Sequence, residues 1–116
     1  MNKYLFLSAT DLEHNEIEIF GSDIHIIGVG KINAAMNTTR LIEKYQPDVV
    51  INFGSCGNLK DYKIGDVLKV GEVFNNIDVR PFAEYGYTPF HGLGSIKLQG
   101  KSCLLYTSDA ADDLVC

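Results

Sequence analysis

Tryptophan is absent, and cysteine is confined to Cys56, Cys103 and Cys116, an odd number at spacings that suit neither a disulfide framework nor a zinc cluster. The histidines His14, His25 and His91 are unclustered, so no metal site is expected; His25, set in an apolar strand pattern, reads as structural. No apolar run approaches the roughly 20 residues that span a bilayer. The apolar start at residues 4–9 is too short for a secretory leader and has no extended basic flank, so a cytoplasmic location without a membrane partner is expected. Positive charge is scarce as well. Lys and Arg total 10 against 15 Asp and Glu, for a net charge of −5, and only Arg40 and Arg80 are arginines. Scattered cations on an acidic chain exclude a nucleic-acid partner on electrostatic grounds.

What remains is an ordinary globular composition, 46% hydrophobic and 22% charged over 116 residues, which suits one domain with one core. The chain is organised around residues 47–57, Pro-Asp-Val-Val-Ile-Asn-Phe-Gly-Ser-Cys-Gly. Pro47 cannot continue a helix, and the β-branched run Val49, Val50, Ile51 then predicts a buried central strand. It delivers a glycine-bracketed turn. In open α/β sheets ligands bind beyond the carboxyl ends of the strands, so Asn52, Gly54, Ser55, Cys56 and Gly57 are candidates to line a small-molecule site. The alternative is a tight turn whose glycines serve geometry alone.

Around that strand the pattern alternates. Residues 3–9 read as a short buried strand, residues 16–20 and 24–27 as a hairpin, and residues 28–31, Gly-Val-Gly-Lys, as the turn into a helix over residues 32–45. Ile32, Ala35, Met36, Thr39, Leu41, Ile42 and Tyr45 predict its apolar stripe, with Asn37, Arg40, Glu43 and Lys44 facing water. Lys31 is expected to be exposed. Strand, turn, helix and strand make a βαβ unit with parallel flanking strands. Residues 66–73 predict a further strand with Gly71 as a candidate bulge and residues 74–77 as a candidate extension, and residues 95–98 another short one; residues 78–94 read as a long irregular loop.

Residues 103–112, Cys-Leu-Leu-Tyr-Thr-Ser-Asp-Ala-Ala-Asp, lack helical or strand periodicity and break from the preceding composition. They resemble, codon for codon, the translation of a transposon-based sequencing-library adapter. Residues 1–102 are therefore expected to be the native part of the domain, and residues 103–116 a non-native tail.

Four pieces, in order, resemble the nucleoside phosphorylase and nucleosidase superfamily, and within it the 5′-methylthioadenosine/S-adenosylhomocysteine nucleosidases. They are Ala9-Thr10-Asp11-Leu12-Glu13, the Gly28-Val29-Gly30-Lys31 turn with Asn33-Ala34-Ala35, the stretch over residues 47–57, and Gly65-Asp66-Val67. The resemblance implies an α/β fold with a central mixed, largely parallel sheet flanked by helices. It also implies cleavage of a purine N-glycosidic bond, without metal or organic cofactor. Glu13 resembles the family's water-activating glutamate, and Ser55, Cys56 and Gly57 resemble the turn that holds substrate and water. Read alone, a glutamate after a strand is also a common helix-start residue.

Water and phosphate are the two nucleophiles used in the superfamily. Phosphate calls for a guanidinium in the site. Phosphorylases of the hexameric bacterial type place an arginine three residues before the serine of this turn, where this chain has Asn52, and another after the first strand, where it has Asp11, Leu12 and Glu13. Hydrolysis is therefore expected, with Arg80 keeping phosphorolysis open and a non-catalytic nucleoside-binding remnant as the reading from a different class. Asp78-Val79-Arg80-Pro81-Phe82 matches the loop that the family sends into the neighbouring subunit. The resemblance thus implies a homodimer in which Val79 and Phe82 help bind the 5′ substituent of the sugar. Only residues 13–27 join the glutamate to the Gly-Val-Gly turn, which makes the chain a shortened relative. The family's ribose-binding Met-Glu and purine-protonating Ser-Asp segments have no counterpart, so the chain is expected to be an N-terminal fragment, inactive by itself.

Overall fold

A computed structural model describes residues 1–13, 23–58, 60–75, 80, 84–85, 87 and 96–98, together with the backbone of residues 104–107 and 113–115. The chain divides into two compact units, Met1–Ser55 and Cys56–Cys116.

The first unit is a parallel three-stranded sheet with one helix. Strands β1 (Tyr4–Ser8), β2 (Ile24–Ile26) and β3 (Val49–Asn52) lie in the order β2-β1-β3, with Leu7 opposite both His25 and Asn52. Helix α1 (Lys31–Tyr45) joins β2 to β3 and packs on β1. The parallel βαβ reading holds, with the first strand of the chain lying between the two strands that the helix connects. β2 pairs in parallel with β1; the other arm of the expected hairpin, residues 16–20, lies outside the described residues. Backbone bonds extend the sheet into its turns. Ile27 N–H donates to Ser8 O at 2.9 Å, Gly28 N–H to Ala9 O at 3.2 Å and Phe53 N–H to Leu7 O at 3.1 Å.

Gly28 and Gly30 have φ of 88° and 92°, a region that L side chains rarely adopt, so the Gly-Val-Gly turn needs glycine at both ends. Helix α1 closes on Gln46 in the left-handed region, whose N–H donates to Ile42 O at 2.9 Å, and Pro47 follows. Asp48 then ties the start of β3 to the start of β1, accepting from Lys3 N–H at 2.6 Å and donating its own N–H to Lys3 O at 2.8 Å.

The core of this unit is small. Leu5, Leu7 and Ile27 are buried, with Ala34, Leu41 and Tyr45 packed against them. The buried face of α1 therefore differs from the expected stripe. Leu41 and Tyr45 face the sheet as expected, but Ile32 is 84% exposed and Met36 49%. Asn37, expected in water, is half-buried and donates from Nδ2 to Ile27 O at 2.8 Å. The physical reason is a backbone carbonyl in the β2–α1 turn that needs a donor, which turns the Asn37 side toward the sheet. Strand β3 was expected to be buried and central; in this sheet it is an edge strand, with Val50 40% and Ile51 37% exposed. Among the described residues this unit has one helix to cover the sheet, and that helix packs on β1.

The second unit holds β4 (Gly57–Asn58), β5 (Glu72–Asn75), β6 (Ile96–Lys97), β7 (Leu104–Thr107) and β8 (Asp113–Val115) in the order β4-β8-β7-β5-β6, a mixed sheet. The strand expected over residues 66–73 begins only at Glu72. Residues 63–66 form a turn, with Asp66 N–H donating to Lys63 O at 3.1 Å and Lys63 N–H to the Asp66 carboxylate at 3.0 Å, while Gly65 takes φ 96°. With its side chain closing that turn, Asp66 does not start a ladder. Gly71 is no bulge; its carbonyl accepts from Leu98 N–H at 2.7 Å where β5 meets β6. The segment that resembles an adapter supplies β7 and β8, β7 pairing in parallel with β5. Leu-Leu-Tyr-Thr is rich in strand-favouring types, and an open strand edge offers backbone groups to any such segment without requiring alternation. The first unit, a parallel sheet with its crossover helix, fits the α/β class.

Candidate functional site

Strand β1 ends at Ser8, and a single 3-10 turn, Asp11–Glu13, follows at once. Strand β3 runs parallel to β1 and ends one residue before Phe53, so the loop after it leaves the same end of the sheet. Two residues far apart in sequence meet there. Glu13 Oε1 accepts from Ser55 N–H at 3.1 Å and from the Ser55 hydroxyl at 3.0 Å. Its other oxygen, Oε2, lies 3.4 Å from the Ser8 hydroxyl, which is itself 3.0 Å from Thr10 O.

Gly54 makes the approach possible. A Cβ built on it would stand 2.9 Å from Glu13 Oε1, closer than real Cβ contacts come, and 3.1 Å from both Cδ and Oε2, tighter than most of them. Here glycine serves close approach, since Gly54 is not among the positive-φ residues.

Burial by itself works against a charged Glu13, but the Ser55 N–H, the Ser55 hydroxyl, the Thr10 backbone and the Ser8 hydroxyl together outweigh it, and the carboxyl is held below the ordinary glutamate range. Glu13 is half-buried, whereas Gly54 and Ser55 are exposed, so solvent reaches this cluster. A carboxylate oxygen has two lone pairs. Two short bonds occupy those of Oε1, and Oε2 keeps room for a further donor. The arrangement is an oriented, ionised carboxylate able to bind a water molecule and accept its proton.

Of the residues singled out from sequence, Glu13 and Ser55 are brought together. Asn52 stands exposed at the end of β3, opposite Leu7. Cys56 and Gly57 open the second unit; Cys56 is exposed and in no disulfide, and Gly57 begins β4. Val79 and Phe82 lie outside the described residues. The His25 ring packs at a tilt against the Tyr45 ring, centroids 5.1 Å apart, in keeping with a structural role, and Lys31 is exposed at the first position of α1. Ser8 was not foreseen. Its signal was a hydroxyl at the last position of an otherwise apolar strand, five residues before the glutamate.

Among the described residues no helix is long and apolar enough to cross a membrane, and no three His, Cys, Asp or Glu side chains gather as a metal site.

Comparison with known proteins gives a consistent picture. Residues 19–106 match the family model described as the phosphorylase superfamily; the match begins after Glu13 and ends four residues into the tail that resembles an adapter. A 5′-methylthioadenosine/S-adenosylhomocysteine nucleosidase of an Exiguobacterium species is 52% identical over 65 residues, covering 53% of this chain and 28% of the relative. Proteins of the same name from a Geobacillus species and from Chromohalobacter salexigens are 45% and 49% identical over 74 and 65 residues, covering 60% and 53% of this chain. The chain thus spans less than a third of the length of these curated relatives, 28 to 32%.

Proposed function

The chain belongs to the phosphorylase superfamily, and from that premise we propose that it carries the water-activating part of a nucleosidase site. The enzyme hydrolyses the N-glycosidic bond of a purine nucleoside or thionucleoside such as 5′-methylthioadenosine or S-adenosylhomocysteine. The observation that carries this reading is the Glu13 carboxylate anchored through Oε1 to both donors of Ser55, in a chain about half identical, over its matched part, to proteins named as such nucleosidases.

In the proposed reaction a water bound at Oε2 attacks C1′ of the ribose as the glycosidic bond to the purine nitrogen lengthens. The new bond joins water oxygen to C1′. The electron pair of the broken bond leaves on the purine, and Glu13 takes the water proton. Negative charge on Glu13 also favours the cationic sugar of the transition state. Protonation of the purine falls to a group outside residues 1–116, as does binding of the ribose hydroxyls. Asn52 stands where phosphorolysis would need a guanidinium, which supports water as the nucleophile.

Several finer parts of the reading belong to the same proposal. Asn52, Ser55, Cys56 and Gly57 contact substrate, and Val79 and Phe82 serve the site of a neighbouring subunit in a homodimer working in the cytoplasm. Residues 103–116 are a non-native tail; long-read sequencing through the codon for Ser102 tests this.

The functional test is adenine release from 5′-methylthioadenosine by the full-length gene product, with and without inorganic phosphate. Phosphate-independent release that falls about 10²-fold or more in Glu13→Gln is expected. Strict dependence on phosphate refutes hydrolysis, and adenosine binding without release at any phosphate concentration refutes catalysis.

A further inference from the structure

Ser8 is fully buried at 0% exposure, a polar side chain at the end of the strand that builds the core. Buried hydroxyls are kept where they have partners. This one has two acceptors, Thr10 O at 3.0 Å and Glu13 Oε2 at 3.4 Å, and a single proton to give. The choice depends on the state of Glu13. An ionised carboxylate is a stronger acceptor than a peptide carbonyl, so charge on Oε2 draws the proton to it, and protonation of Oε2 returns it to Thr10 O.

The geometry around Glu13 is asymmetric in a way that matters for its chemistry. Oε1 is held on one side by the two Ser55 donors, and Ser8 approaches Oε2 from the end of β1. No charged side chain bonds to the carboxylate from β1 or from the loop at residues 53–55 among the described residues; Asp11 is the other acid of its own turn. With Oε1 saturated, Oε2 is the oxygen with capacity for a reacting proton, and Ser8 fixes the plane in which its remaining lone pair points.

We propose that Ser8 is a positioning residue for Glu13, a two-acceptor hydroxyl that orients Oε2 toward the bound water while the carboxylate is charged and returns to Thr10 O once Oε2 has taken the proton. The catalytic half of this inference rests on the nucleosidase reading above; the coupling of Ser8 to the ionisation of Glu13 does not.

The deciding experiment is a carbon-detected pH titration of the Glu13 carboxyl in the full 116-residue chain labelled with 13C-glutamate, the resonance being assigned by its loss in Glu13→Gln. Ser8→Ala removes a donor to the charged form and is expected to raise the Glu13 midpoint, while Ser8→Thr keeps the hydroxyl and restores it. An unchanged midpoint in Ser8→Ala overturns the inference, even if the variant melts earlier, because a merely structural Ser8 would affect melting alone. In the full-length gene product Ser8→Ala is expected to lower kcat about tenfold with KM unchanged, and to move the acid limb of the pH profile upward. A shifted titration with unaltered kcat refutes the catalytic half. Absence of cleavage by the wild-type protein refutes the nucleosidase reading instead, and the titration still decides the coupling.

Discussion

Replacing Gly54 with alanine adds a single methyl group at the closest point of the site. That methyl would stand 2.9 Å from Glu13 Oε1 and 3.1 Å from Oε2 and Cδ. Because the Gly54 backbone is not in the left-handed region, the main chain accepts alanine and the carboxylate must yield. Moving from 2.9 Å to an ordinary contact of about 3.5 Å requires a displacement of about 0.6 Å, enough to stretch the 3.0 and 3.1 Å Ser55 bonds past useful hydrogen-bond range. Two bonds to an ionised group are worth about 1.5–3 kcal/mol each when buried, but Glu13 is solvated on one side and regains water, so the net loss of stability is about 1 kcal/mol. The stiffer unfolded chain offsets roughly half of that. Thermal melting should therefore change by a few degrees at most, while kcat for adenine release by the full-length protein falls about 10²-fold, the usual consequence of a sub-ångström to ångström misplacement of a reacting group. The Glu13 titration should move upward as its donors withdraw. Wild-type kcat together with an unmoved titration would refute the claim that Gly54 exists to admit this carboxylate.

Three further outcomes follow from the same geometry. The Glu13 pKa is depressed on folding, so its contribution to stability is fully present above the unfolded value and is lost as pH falls through the folded one; urea midpoints of wild type and Glu13→Gln should converge below that value. Gly30→Ala meets nothing within 4 Å, so its cost is backbone strain alone at φ 92°, about 1–2 kcal/mol by chemical denaturation, and a neutral result would show that the turn relaxes. Asn37→Ala removes the donor to Ile27 O and should cost about 1–2 kcal/mol in the same assay, whereas Ile32→Ala, on a residue 84% exposed, should be close to neutral.

The local elements were legible because their causes are local. Glycines at residues 28 and 30, a periodic run and Pro47 place α1 within one residue of its observed Lys31–Tyr45, and β-branched runs with an apolar chain start mark β3 and β1. Glu13 and Ser55 were legible only as members of a recurring ordered set of motifs. Periodicity could not decide which side of α1 is buried, since Ile32 and Met36 satisfy the apolar pattern as well as Leu41 and Tyr45 do. A backbone carbonyl at Ile27 in need of the Asn37 amide decided it. Composition could not show that the Pro47 strand takes an edge of its sheet, because strand order is set by which chains pair, and β1 comes from 45 residues earlier in sequence. The 3.0 Å meeting of Glu13 with Ser55 and the tight space at residue 54 arise from parallel pairing of β1 with β3, whereas the Ser8 hydroxyl finds its two acceptors within the turn that directly follows its own strand. Sequence determined the elements and the residue types that carry the chemistry. Tertiary structure alone decided their juxtaposition, because hydrogen bonds act over about 3 Å in space whatever the separation along the chain.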